Sequence, residues 1–180
     1  ILDGTFSKAT ATINTGSGAV GTSGTEKAFV LETLADGAIM NNEDTTTTTN
    51  NINLSGSKHN IRYEISNRNV NKGSFTLAIR AGNDNIKRKQ TLETYTGVTL
   101  DPNDNNFISK VIGDQVNTVR TDENSNPYLQ LTGSFPNKSR FVRVKSVDSL
   151  TSDYLDENGS IRLTELTASL PDNGSGSSHG

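Results

Sequence analysis

Gly16, Gly18 and Gly21 spell the letters G-x-G-x-x-G. That pattern cradles a pyrophosphate when a strand runs into it and a helix starts inside it. Here Thr22-Ser23-Gly24-Thr25 follow, which start helices poorly, and the next apolar run is strand-like. The expectation is a flexible loop and no nicotinamide cofactor. A second stretch, Tyr154-Leu-Asp156-Glu-Asn158-Gly159-Ser-Ile161-Arg-Leu-Thr-Glu165, matches a calcium-binding EF-hand loop at its third, fifth, sixth, eighth and twelfth positions. Its first position is Tyr instead of the carboxylate that opens the coordination sphere, and no helical pattern flanks it. A tight turn at Glu157-Asn158-Gly159 accounts for the same residues.

The chain has two histidines, His59 and His179, and the second lies in a Gly/Ser-rich tail, so an ordered pair for a metal or a proton relay is not expected. Serine-type catalysis would have to use His59, yet no nucleophile elbow occurs anywhere. Carboxylates are plentiful but sit mainly in Asn/Asp/Gly turns, where they cap backbone amides. The only basic run, Lys87-Arg88-Lys89, lacks the interleaved aromatics of a nucleic-acid face and reads as a solvated turn or a protected strand edge. Glycosylation sequons at Asn53, Asn137, Asn158 and Asn173 are read as coincidence in an Asn/Ser/Thr-rich chain. No residue is put forward as catalytic, cofactor-binding or metal-ligating, and the chain is expected not to be an enzyme.

What remains is a scaffold, and its elements are written in period-two patterns. Residues 5–13 alternate around Phe6, Ala9, Ala11 and Ile13, and residues 28–34 form an apolar run that ends at Ala35-Asp36-Gly37. The threonine tract at 45–49, within residues 45–53, is either an exposed edge or a mobile loop. Ile61, Tyr63 and Ile65 alternate with Arg62, Glu64 and Ser66, and Ser74-Phe-Thr-Leu-Ala-Ile-Arg80 alternates again. The two predict an antiparallel hairpin across a polar connection at 67–72. A third strand is expected over 89–95. The turn Leu100-Asp101-Pro102-Asn103-Asp104 should cap a short helix over 106–112, where Phe107, Ile108, Val111 and Ile112 fall at helical spacing and Gly113 stops it. Strands follow at 128–132 and 140–147. Phe75, Leu77, Ile79, Ile108, Val111 and Ile112 should share one core.

These elements predict an α+β fold, mostly antiparallel β-strands with one or a few short helices and long polar loops. The expected organisation is an N-terminal strand and Gly-rich loop over 1–27, an α+β domain over 28–170 and a flexible tail over 171–180. The chain of 180 residues can bury a real core. A hydrophobic share of 31% and a mean hydropathy of -0.56 make that core lean. The net charge of -3 argues against nucleic acid as a partner, and no run approaches the roughly 18 apolar residues of a membrane span. The count of Cys is 0, which excludes disulfides and thiolate metal sites. An N-terminus without Met or a signal region reads as a cut from something longer.

An ordered series carries more information than any single site. Gly73-Ser-Phe-Thr-Leu-Ala-Ile-Arg80 is followed by Leu92-Glu-Thr-Tyr-Thr-Gly97-Val-Thr-Leu100-Asp101-Pro102-Asn103 and then by Asn106-Phe-Ile-Ser-Lys-Val-Ile-Gly-Asp114. This block resembles the tail sheath family of contractile-tailed (myovirus-type) bacteriophages, with weaker likeness in flanks reaching from Phe29 to Val147. The resemblance implies a structural subunit without chemistry or cofactors. Copies would polymerise around the tail tube in the virion and contract to drive it through the host envelope, contacting tube and baseplate through a C-terminal region that this chain does not resemble. Assembly in the host cytoplasm follows from the same likeness. Three rivals stand beside it: the sheath of a bacterial contractile injection or secretion machine; a β-rich surface adhesin or binding module, for which Trp at 0 and Tyr at 4 leave few stacking platforms; and an enzyme, which would need a convergent set of polar groups that the sequence does not display.

Overall fold

The structure is a computed structural model that describes residues 6–16, 26–37 and 58–175. The glycine loop beyond Gly16, the threonine tract, the sequon at Asn53 and His179 lie outside the described residues. Nine strands and two short helices occur among the described residues: β1 (Thr10–Asn14), β2 (Lys27–Thr33), β3 (Ile61–Asn69), β4 (Ser74–Ala81), β5 (Thr91–Thr99), α1 (Ile108–Ile112), β6 (Val116–Thr121), β7 (Pro127–Thr132), β8 (Val142–Val147), α2 (Leu166–Ser169) and β9 (Gly174–Ser175). The fold is α+β and mostly antiparallel, as the alternation predicts.

The strands form three sheets with orders β1-β2-β8, β5-β4-β3-β9 and β6-β7. The first two share one apolar core, in which Phe29 of β2 stacks on Phe75 of β4 with ring centroids 5.8 Å apart. β4 is the central strand. Phe75, Leu77 and Ile79 point into the core from one of its faces, while Thr76 and Arg80 are buried on the other. The helix α1 adds Ile108 and Ile112 to the same core, and Val111 is only half-buried outside it. Val111 lies about 100° round the helix from Ile112, at the edge of the stripe that Ile108 and Ile112 turn to the core.

Several boundaries differ from the sequence expectation for identifiable reasons. β3 runs on to Asn69, because polar residues can extend a strand once its partner is fixed; the turn back occupies only residues 70–73. β5 continues to Thr99 through two irregularities, one spanning Gly97, whose φ of 67° suits the extra residue of a bulge. The helix begins later than expected, with no side-chain cap. Asp101 and Asp104 instead accept the backbone N–H groups of Asn103 and Asn106, building the turns ahead of it.

The organisation also tightens at both ends. β1 pairs along β2, so the N-terminal strand belongs to the main domain and is not a separate segment. The tail is ordered further than expected: Pro171 bridges to Thr15, and Gly174 and Ser175 pair with Ile65 and Glu64 as the last strand of the larger sheet. Polar composition had suggested a linker, but the open edge of β3 offers these residues a ladder to join.

Candidate functional site

Three clusters of charge and one bare hairpin stand out. The first cluster lies on the covered face of β4. Arg80 Nε donates to Asp84 Oδ2 at 2.8 Å and Arg80 Nη2 to Asp84 Oδ1 at 3.2 Å. Arg80 Nη1 donates to Glu64 Oε2 at 2.8 Å, and Lys89 Nζ takes the other oxygen of Glu64 at 2.6 Å. Arg62 Nη1 donates to both the side chain and the carbonyl of Asp84, and the N–H of Gln90 reaches Asp84 Oδ2. The chain places these groups together because β3 and β4 are registered with Arg62 opposite Arg80, while the turn after Ala81 swings Asp84 back over them.

Burial alone would raise the carboxyl of Asp84, but donors from Arg80, the Gln90 amide and Arg62 outweigh it and hold that carboxyl below its ordinary range. Glu64 behaves likewise under Lys89 and Arg80. Arg80 loses solvation on burial, yet its two carboxylates raise its affinity for the proton. The contacts of Arg80, Arg62 and Lys89 with Asp84 and Glu64 join opposite charges, and the Gln90 N–H closes the turn on Asp84. The chemistry of the cluster is that of a pin.

The second cluster spans the three-stranded sheet. Arg143 of β8 grips Glu32 of β2 through Nε and Nη2, Lys145 Nζ reaches the other Glu32 oxygen at 3.0 Å, and Arg143 Nη1 donates to the carbonyl of Asp114 just past α1. Burial pushes the Glu32 carboxyl up, and its two cationic partners more than reverse that. The third closes the outer edge of β5. Glu93 accepts from Ser139 Oγ at 2.6 Å, the Arg140 N–H at 2.9 Å and the Tyr95 hydroxyl at 2.9 Å. Burial, with the Glu93 charge adding to it, pushes the Tyr95 phenol up to about 12.

The chemistry-like motifs resolve into structure. Asp156 Oδ1 accepts the N–H groups of Asn158 and Ser160, and Gly159 has φ of 77°, so the EF-like stretch is a turn whose carboxylate is occupied internally. Among the described residues, no group of three or more His, Asp or Glu side chains gathers where it could hold a metal ion, and no helix is long and apolar enough to cross a membrane. His59 adjoins the turn at Gly82, where a Cβ would lie 2.2 Å from the His59 backbone. In the basic run, Lys89 serves the first cluster, while Lys87 and Arg88 are exposed on the turn. The Asn137 side chain bonds both ways to the Gln115 backbone, and Asn173 Oδ1 accepts the Arg68 N–H. Asn158 is exposed on its turn.

The hairpin of β6 and β7 escaped the sequence reading in half. β7 was expected, but β6 was not, because its valines at 116 and 119 fall three apart instead of alternating. Among the described residues the two strands pair only with each other, Val119 facing Leu129 and Asn117 facing Leu131, and nearly every side chain is exposed. One face therefore presents Val119, Leu129 and Leu131 to solvent, with the turn at Asp122 to Asn126 closed by Asp122.

No family model matches the chain, and neither a curated protein nor a solved structure shows significant similarity to it.

Proposed function

We propose that the chain serves in the tail sheath of a contractile-tailed bacteriophage, as a structural module that carries load between sheath subunits and catalyses nothing. The observation that supports this reading is the way the sheath-like block coheres. Residues 73–114 form a central strand, a bulged return strand and a short helix around one core, so the residues that carry the resemblance also build the centre of the domain. A sequence likeness confined to surface loops would have had no such physical basis.

The charge clusters suit the same role. Buried pairs add little net stability, but they favour one arrangement of the strands they join, and a subunit that must move as a rigid body between two packings needs that rigidity. One cluster ties β3, β4 and the turn to Gln90; another ties β2, β8 and the exit of α1.

The test is to express the complete coding sequence that contains this chain and to image the product by electron microscopy. The reading predicts hollow helical tubes. Discrete soluble particles at every concentration and salt tried would overturn it.

A further inference from the structure

We propose that the apolar face of the β6–β7 hairpin docks on the turn at Ile86 to Arg88 of a second copy of this chain; the role of this contact in a sheath rests on the reading above, but its existence does not. Val119, Leu129 and Leu131 are 70%, 70% and 56% exposed on one face of a hairpin that, among the described residues, pairs with no further strand. A free two-stranded hairpin is marginal in water and gains from a covered face. The turn beyond β4 shows the complementary feature. Ile86, 71% exposed, is the most exposed large hydrophobic residue among those described, and Lys87 and Arg88 stand exposed beside it.

Charge selects this occupant. The hairpin ends in Asp122 and Glu123, so an apolar surface with an acidic tip meets an apolar side chain with a basic flank. Lys89, by contrast, is committed to Glu64. The two patches differ, so their contact is heterologous: each copy offers one of each, and the contact propagates into rings or helices instead of closing a two-fold pair. Area sets the strength. The apolar patch offers a few hundred Å² at most, against about 800 Å² per partner in stable complexes, so the isolated chain stays monomeric at micromolar concentration and the contact gains its strength from repetition in an assembly.

The chain contains 0 Cys, so single cysteines can report the geometry cleanly. Val119→Cys and Ile86→Cys chains, both altered at exposed positions, are mixed in equal amounts at hundreds of micromolar and oxidised mildly. The mixed disulfide dimer is expected several-fold above the random ratio. Adding Lys87→Glu and Arg88→Glu to the Ile86→Cys chain should return it to random, and adding Glu123→Lys to its partner should restore the excess. A random ratio from the start, an excess of either homodimer, no dimer at all, or indifference to charge reversal would overturn the contact. Tubes from the complete coding sequence together with a random ratio would remove this contact and leave the sheath reading standing. The mixed dimer without tubes would do the reverse.

Discussion

Arg80 and Asp84, four residues apart across the turn that leaves β4, form a buried two-point ion pair, with Nε to Oδ2 at 2.8 Å and Nη2 to Oδ1 at 3.2 Å. Removing Arg80 takes two charge-assisted hydrogen bonds from the fully buried Asp84 carboxylate, which keeps Arg62 and the Gln90 N–H, and one from Glu64. Arg80→Ala should therefore cost about 3–5 kcal/mol of unfolding free energy, and Arg80→Lys should recover only part of it because an ammonium cannot span both oxygens. Replacing the pair together, as Arg80→Met with Asp84→Leu, should cost less than the sum of the single changes. Urea titrations of the wild type, Arg80→Ala, Arg80→Lys, Arg80→Met, Asp84→Leu and the double variant check this.

Acid should unfold the domain through the same groups. Asp84, Glu64 and Glu32 all have folded-state carboxyls held below their ordinary values of 3.8 for Asp and 4.5 for Glu. A depressed carboxyl contributes stability that is full above its unfolded value and is lost as pH falls through its folded value. Stability should be flat from neutral pH down to about 5 and then decline. Arg80 shifts upward under the same carboxylates and stays charged throughout the acid range, so the decline is set by the protonation of its partners. Asp84→Asn should flatten the acid limb of a urea-midpoint profile; an unchanged slope in that variant counts against the assignment.

Gly73, the residue that leads into β4, is held by a neighbour as well as by its φ of 65°. A Cβ there would sit 2.6 Å from the ring of Tyr154, whose hydroxyl donates to the Val70 carbonyl at 2.6 Å. Gly73→Ala should cost about 1–3 kcal/mol from backbone strain and overlap together. Gly159, with φ of 77° and nothing within 4 Å, supplies the control, and Gly159→Ala should cost only about 1 kcal/mol. Equal losses in thermal or urea unfolding would show that the Tyr154 contact does not matter.

Much of the frame could be read from the chain because it rests on local pattern. Phe75, Leu77 and Ile79 alternate, Ile108 and Ile112 lie four apart, and all five are buried together. The clusters could not be read in the same way. Nothing in sequence tells Asp84, in an Asn/Asp turn, from a solvated capping residue until the register of β3 on β4 sets Glu64 and Arg62 beside Arg80. The hairpin face was half-hidden for a different reason. Leu129 and Leu131 alternate as strand residues do, and only the tertiary arrangement shows that both face solvent.

Calcium should leave the protein unchanged. Asp156 spends Oδ1 on two backbone N–H groups of its own turn, and Tyr154, where a first ligand would stand, is buried with its hydroxyl engaged. A ligand at 100 times its dissociation constant would stabilise the fold by about 2.7 kcal/mol, a readily visible rise in Tm. Melting with and without millimolar calcium decides it; a rise of several degrees contradicts the turn assignment.

The sheath reading makes its most direct commitment about place. Antibodies raised against the 180-residue chain, carried on gold, can be applied to intact and contracted tailed particles from cultures that bear the gene. The account predicts gold in regular density along the whole tail outside the tube, with the labelled length shortening when the tail contracts. Gold confined to fibres, baseplate or capsid, or gold that keeps its length on contraction, would contradict it.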